Sequence, residues 1–157
     1  MQYKLLTNEL VDSTYECITN TILPLTIYSD IARRAEIEKY TPEKLRSFID
    51  DPLRLSLVAV DDTNAVVGFL FGVVDAHVIF INWIGIAEEH RHHGHMKDLW
   101  NTMELWCKHR AVHKVWCDTN QKNLPSIAFL QSVGMNNVSD LKNFWYGHDY
   151  FIWEKSV

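Results

Sequence analysis

A change of hydrophobic period around Gly94 restricts the fold more than any other feature of the chain. Before it, His77–Ala87 (HVIFINWIGIA) is apolar at nearly every position, the pattern of a strand covered on both faces. After it, Met96, Leu99, Trp100, Met103, Trp106 and Cys107 recur at three- and four-residue spacing, with Lys97, Asp98, Asn101, Glu104 and Lys108 between them. That is a single apolar stripe on an amphipathic helix. A buried strand passing through a short polar turn into such a helix demands a sheet with a helix packed on it.

The rest of the chain fits an α/β (α+β) layer. Leu53–Val60 and Ala65–Val74 are two more strand-like runs, joined by the turn Asp61-Asp62-Thr63-Asn64; Asp75-Ala76 links the second to His77–Ala87. Three strands with such tight links form an antiparallel meander. Upstream, Gln2–Thr7 reads as a strand. A helix follows over Leu10, Val11, Thr14, Tyr15, Cys17 and Ile18, with Thr7 or Asn8 as N-cap. Residues 20–41 show no clear period, because Pro24 interrupts them and Arg33, Arg34, Glu36 and Glu38 make them polar. Thr41-Pro42 starts a further helix, with a capping hydroxyl and proline at the first helical position, and Asp51-Pro52 ends it. Downstream come a strand over His113–Thr119, a helix over Asn123–Val133 with Gly134 at C′, and a strand over Tyr146–Glu154. The expected order is β-α-α-β-β-β-α-β-α-β-β, a mixed, mostly antiparallel central sheet flanked by helices. The chain's 157 residues make one domain, residues 1–157.

Charge narrows the partners. The net charge is -5, which argues against a general nucleic-acid binder. Residues 90–114 run the other way: five Lys or Arg stand against two carboxylates, a local +3, and six of the eight histidines lie there. Such a segment suits an anion or a metal. The first turn of a helix presents unpaired N–H groups and the positive end of its dipole, and a glycine there admits close approach of a ligand. Arg91-x-x-Gly94 before the amphipathic helix is therefore a candidate anion cradle, best suited to phosphate or pyrophosphate. The most apolar segment, Val66–Ala87, has the nine residues Val66–Val74 as its longest uninterrupted part, too short for a membrane span of roughly 20, and the N-terminus carries no apolar signal segment. Three scattered cysteines, Cys17, Cys107 and Cys117, fit free thiols rather than a disulfide framework. A cytoplasmic protein is expected, with no nucleic-acid or membrane partner.

On these residues the chain resembles the GNAT superfamily of acyl-CoA-dependent N-acyltransferases. Its signature, [Q/R]-x-x-G-x-[G/A] between a central strand and the following helix, is matched by Arg91-His92-His93-Gly94-His95-Met96, except that Met96 replaces a small residue. The second signature, an Asn, a small residue three later and a helix ending in Gly-aromatic, is similar to Asn123 to Leu130, with Ser126 as the small residue and Gly134-Met135 closing the helix. The resemblance implies an N-acetyltransferase that moves an acetyl group from acetyl-CoA to a primary amine of a small molecule or peptide, by direct attack in a ternary complex. It implies that His92, His93, Gly94, His95, Met96 and Lys97 hold the pyrophosphate on their amides, with Arg91 alongside. It implies that Ile84, Gly85 and Ile86 bond pantetheine and the thioester carbonyl through their backbone. It also implies that strands ending near Ala87 and Thr119 splay apart, and that Asn123 and Ser126 contact the cofactor. The alternative is a non-catalytic CoA-binding module on a degenerate form of the fold.

The chemistry needs a base for the protonated amine. Asp118, at a strand end, is the candidate, with strand-end capping as its structural alternative. Asn82 can orient the amine or a water but cannot act as a base. Many family members supply an acidic Tyr where this chain has Leu130, so Tyr146, Tyr150 and His148 remain alternatives, as does departure without an acid. His90, His92, His93 and His95 crowd one turn without a distant Cys or carboxylate partner, so no metal is expected. Phe144, Trp145, Tyr146, Tyr150, Phe151 and Trp153 read as core or a homodimer face rather than an acceptor pocket. Arg33 and Arg34 hint at a carboxylate-bearing acceptor. Glu88 and Glu89 read as solvated turn residues.

Overall fold

Alternation along the central strands sends side chains to two separate cores. The computed structural model describes residues 1–157, with seven strands: β1 (Gln2–Leu5), β2 (Arg54–Val60), β3 (Val66–Asp75), β4 (Val78–Ile86), β5 (Lys114–Asn120), β6 (Asn136–Leu141) and β7 (Tyr150–Ser156). In β3, Val67 and Leu70 join a cluster of 19 buried residues on one face, while Val66, Phe69 and Phe71 join a cluster of 14 on the other. This double burial is why β3 and β4 read as near-continuous apolar runs.

The helices are α1 (Val11–Ile22), α2 (Asp30–Glu38), α3 (Pro42–Ile49), α4 (His95–His109) and α5 (Leu124–Ser132). α1 and α3 cover one face through Val11, Ile18, Ile22 and Leu45. α4 covers the other through Leu99, Trp100, Met103 and Cys107, joined by Leu130 of α5. Trp106 is half-buried at the edge of that stripe. None of the helices is long and apolar enough to cross a membrane.

Two local expectations change. α2 stands in the segment that shows no clear period, so the observed order has one more helix than expected. Its start is nevertheless marked: the Ser29 hydroxyl accepts from the Ala32 amide at 3.2 Å, and Asp30 sits in the first turn. The hydroxyl caps expected elsewhere do not form. Thr7 precedes a short 3-10 turn (Asn8–Leu10) that leads into α1, and neither Thr7 nor Thr41 makes a side-chain cap bond. Pro42 does occupy the first turn of α3, where its missing N–H costs nothing.

The sheet order is β1-β2-β3-β4-β5-β7-β6. Every neighbouring pair is antiparallel except β4 and β5, which are joined through α4 as a parallel crossover must be. That one parallel pair positions the site. It holds only from Val78↔Lys114 to Ile81↔Cys117. Beyond it the rest of β4, from Asn82 to Ile86, runs free of β5, leaving a seam in the middle of the sheet.

Candidate active site

At one end of the seam stands the N-terminus of α4. Gly94 is its N-cap, with φ +87, a left-handed conformation that costs an L residue about 1–2 kcal/mol. A Cβ there would meet nothing within 4 Å, so the position requires glycine for its backbone and faces open space. His92 is also left-handed, φ 65. These two residues turn the chain so that the amides of His92, His93, Gly94, His95 and Met96 make no hydrogen bond within the protein. Five unpaired donors beside a 15-residue helix make a concave anion site. The Lys97 amide, expected to belong to this set, donates to the Gly94 carbonyl at 2.9 Å and is spent inside the first turn. Arg91 does not reach outward either: its Nε donates to the Ile86 carbonyl at 3.1 Å, tying the turn to the end of β4.

Met96 packs against the large core cluster, so its bulk, the departure from the expected small residue, is turned away from the five amides. His95 Nδ1 lies 2.8 Å from the Tyr3 hydroxyl, which donates to Asp98 Oδ2 at 2.7 Å. His93 stacks on His95 at 5.9 Å between ring centroids. No group of three or more His, Cys, Asp or Glu side chains is placed to hold a metal ion.

Along the seam, the Ala87 amide donates to the Val67 carbonyl. Strand alternation then turns the peptide groups of Ile84 and Ile86 away from β3 and toward the gap. Gly85 lies between them because a Cβ would stand 2.7 Å from Phe69 Cζ and 2.9 Å from Thr21 Cγ2. The β3–β4 register shifts at Phe71/Gly72, pairing Phe71 with Trp83 and Gly72 with Ile81. Asn82 is the extra residue of that bulge, exposed at the mouth of the seam, its side chain without a hydrogen-bond partner in the protein.

The seam opens into a cavity of about 180 Å³. Its lining comes from Tyr28, Glu36, Lys39 and Tyr40, from Phe80 to Ile84, from Cys117 to Thr119, from Asn123, Ser126 and Leu130, and from Trp145, Tyr146 and Tyr150. The structure thus brings Asn82, Asp118, Tyr146, Asn123 and Ser126 together at one cavity. Asn123 is the N-cap of α5, its Oδ1 accepting from the Ser126 amide at 3.3 Å. Of the aromatic set expected to be core, only Tyr150 and Trp153 are fully buried. Phe144, Trp145 and Tyr146 are exposed, and Trp145 and Tyr146 wall the cavity because the loop before β7 folds back over the seam. His148 packs edge-on against Tyr28 and lies outside the lining.

Two carboxylates face this space with their pKa values shifted in opposite directions. Burial pushes Asp118 above the usual carboxylate range, and this outweighs the hydrogen bond from Trp145. Trp145 Nε1 donates to Asp118 Oδ2 at 2.9 Å, while Oδ1 has no donor in the protein. For Glu36, burial alone would raise the pKa, but hydrogen bonds from Lys39, Tyr146 and Trp83 hold it below the usual range. Lys39 Nζ lies 2.7 Å and the Tyr146 hydroxyl 2.6 Å from Oε1, and Trp83 Nε1 lies 2.9 Å from Oε2. Carboxylates pushed apart in this way divide into a proton acceptor and a fixed anion. Burial, and then the bond to Glu36, push Tyr146 up to about 12, so its proton is committed to Glu36. Burial also raises Tyr150 and Tyr28, which adjoin one another.

Glu36, Tyr28, Trp83 and Lys39 carry no motif in the sequence. Arg33 and Arg34, singled out there, do not line the cavity: Arg33 pairs with Asp30, and Arg34 is exposed. Glu88 and Glu89 are exposed turn residues.

Residues 25–135 match the Acetyltransferase (GNAT) family. The chain belongs to that family, whose members are acyl-CoA-dependent N-acetyltransferases. Among solved structures it is similar to the PaiA N-acetyltransferase of Thermoplasma acidophilum in complex with coenzyme A, at 23% identity and TM-score 0.87 over 99% of this chain and 98% of that one. It is also similar to the ribosomal-protein-S18-alanine N-acetyltransferase of Escherichia coli, at 14% identity and TM-score 0.78 over 99% and 93%. A third is aminoglycoside 6'-acetyltransferase type Ii, at 16% identity and TM-score 0.79 over 99% and 97%. No curated protein matches the sequence.

Proposed function

We propose that this single-domain protein transfers an acetyl group from acetyl-CoA to a primary amine of a small molecule or peptide. The observation that carries the proposal is the seam between β4 and β5, which joins five unpaired amides at one end to a cavity holding two carboxylates at the other. The residues present fit the donor: the open, left-handed Gly94 leaves room where a side chain would fill the cradle. In this reading the amides of His92 to Met96 bind the pyrophosphate, Ile84 offers its peptide groups and Ile86 its amide to pantetheine and the thioester carbonyl, the Ile86 carbonyl being held by Arg91, and Asn123 and Ser126 border the arm. When bound, the donor supplies a thioester whose carbonyl carbon accepts the amine nitrogen, forming C–N and releasing C–S.

The protein's part is to handle protons and orientation. The free Oδ1 of Asp118 takes a proton from the ammonium, exposing the nucleophilic lone pair. Asn82 offers an amide to the amine or to a bridging water. Tyr146 is a positioning residue, since its hydroxyl holds Glu36. No protein acid is needed for the leaving group, because a thiol with a pKa of about 8.5 departs readily as thiolate and is protonated afterwards from solvent. The three cysteines, all buried and free, fit a reducing cytoplasm.

A non-catalytic CoA-binding module would need no proton acceptor beside the seam; an Asp118 oxygen without a donor, bordering the cavity, supports the enzymatic reading instead. The test is thiol release from acetyl-CoA across a panel of amines, with the acetylated product weighed by mass spectrometry. Amine-dependent release is expected. Coenzyme A binding with no amine raising release above buffer would overturn the enzymatic reading.

A further inference from the structure

The carboxylate that the mechanism leaves unused is the better-built of the two. Glu36 is 16% exposed at its side chain and borders the cavity. Trp83, Tyr146 and Lys39 all donate to it. Two of these donors are neutral and come from β4 and the 145–147 turn. They keep the group ionised without neutralising it. The third, Lys39, is 57% exposed and joined to Glu36 by an i,i+3 pair, the kind of surface contact a better-placed cation displaces.

The surroundings favour a cation. Tyr28, Trp83, Trp145 and Tyr146 are aromatic walls, and ring faces attract ammonium groups. Glu36 and Asp118 outnumber Lys39 among the charged groups of the lining, so an acceptor's carboxylate would meet net negative charge. The spacing of the two carboxylates is fixed by one loop: Trp145 donates to Asp118 and its neighbour Tyr146 to Glu36. Tyr146 adopts φ 54 to do so, a conformation uncommon for a bulky residue and one that surrounding contacts must hold.

We infer that Glu36 sets acceptor specificity by holding a second cationic centre of the acceptor while the amine to be acetylated lies at Asp118. The acceptor is then a compact aliphatic diamine rather than a monoamine or an amino acid. The assignment of the reacting amine to Asp118 rests on the proposed acetyl transfer; the cation site at Glu36 does not.

The experiment compares 1,4-diaminobutane, 1-aminobutane and 4-aminobutanoate with the intact protein, Glu36→Gln and Lys39→Met. Thiol release gives kcat and KM, and quenching of Trp83 and Trp145 fluorescence gives binding without turnover. For the unaltered protein the diamine KM is expected to lie below that of 1-aminobutane by on the order of tenfold or more, with 4-aminobutanoate poorest. Glu36→Gln should collapse that ratio toward one, with the loss falling on diamine KM. Lys39→Met, which removes the competing ammonium from an exposed position, should tighten diamine binding. Equal use of diamine and monoamine, or a preference that survives Glu36→Gln, overturns the inference. If no amine is acetylated, the proposed activity fails, and the fluorescence titration still decides: diamine binding lost in Glu36→Gln sustains the cation site, and no binding to the unaltered protein removes it. If Glu36→Gln does not fold, Lys39→Met carries the test, and unchanged or weaker diamine binding in that variant overturns the site.

Discussion

The two ends of the seam are built from different materials. The α4 end is made of backbone: five amides, two left-handed residues and a helix dipole, all within residues 91–97. The cavity end is made of side chains from α2, β4, β5 and the loop before β7, which meet only in three dimensions. A backbone site tolerates most side-chain changes and fails when the main chain cannot turn. A side-chain site fails at single hydrogen bonds and answers to pH.

The largest effect is expected at the backbone end. Gly94→Glu imposes a side chain at φ +87 and adds negative charge to the cradle. Losing two charge-assisted bonds, worth about 1.5–3 kcal/mol each, weakens coenzyme A binding on the order of 100-fold or more. Calorimetric titration measures it; unchanged affinity would show that the five amides are not the anion site. Next is Asp118→Asn, expected to cost roughly 10²–10⁴ in kcat while leaving coenzyme A affinity intact, which would separate the two ends functionally.

The sign of the pH effect follows from the raised Asp118 pKa. The base form is lost as pH falls through that raised value. The acid limb of the unaltered enzyme should therefore follow one proton loss, that of Asp118, because the bound ammonium gives its proton to that carboxylate. Asp118→Asn should move the limb up to the amine's own proton loss, and a rate–pH profile of unchanged shape excludes Asp118 as base. Gly85→Ala probes the strand that joins the ends. Its Cβ would stand 2.7 Å from Phe69, an overpacking expected to cost about 1–3 kcal/mol, read as a lowered denaturation midpoint; full stability would mean that the contact between β4 and the Phe69 layer is loose.

The smallest change is Trp145→Phe. It removes the one hydrogen-bond donor that lowers Asp118 and should move the acid limb to higher pH, without the loss of rate that Asp118→Asn brings. A shift in the other direction would put Asp118's proton balance outside the cavity.

Much of this was legible along the chain because the signals are local. The period-2 and period-3.6 patterns, the turn before α4 and the Asn123 cap each depend on residues within a few positions of one another. Asp118 stood out for the same reason, as a carboxylate expected at a strand end; in the structure β5 runs on to Asn120, and its role as base is the proposal that the rate–pH profile tests. α2 was not, because its sequence DIARRAEIE places only Ala32 and Ile37 in the interior, too few to establish a stripe, although Ser29-Asp30 marked its start.

The sequence alone determined the mixed sheet with its covered central strands, the glycine turn into α4 and the basic, histidine-rich segment around it. Tertiary structure decided which of those groups remain available. It spent Arg91 on Ile86 and the Lys97 amide on Gly94, and packed the half-buried Met96 against the core. It also made Glu36 a fixed anion through Trp83 and Tyr146, 47 and 110 residues away. Hydrophobic periodicity fixes which faces of the chain are buried. A carboxylate's charge state depends on burial and donors that long-range packing alone brings together.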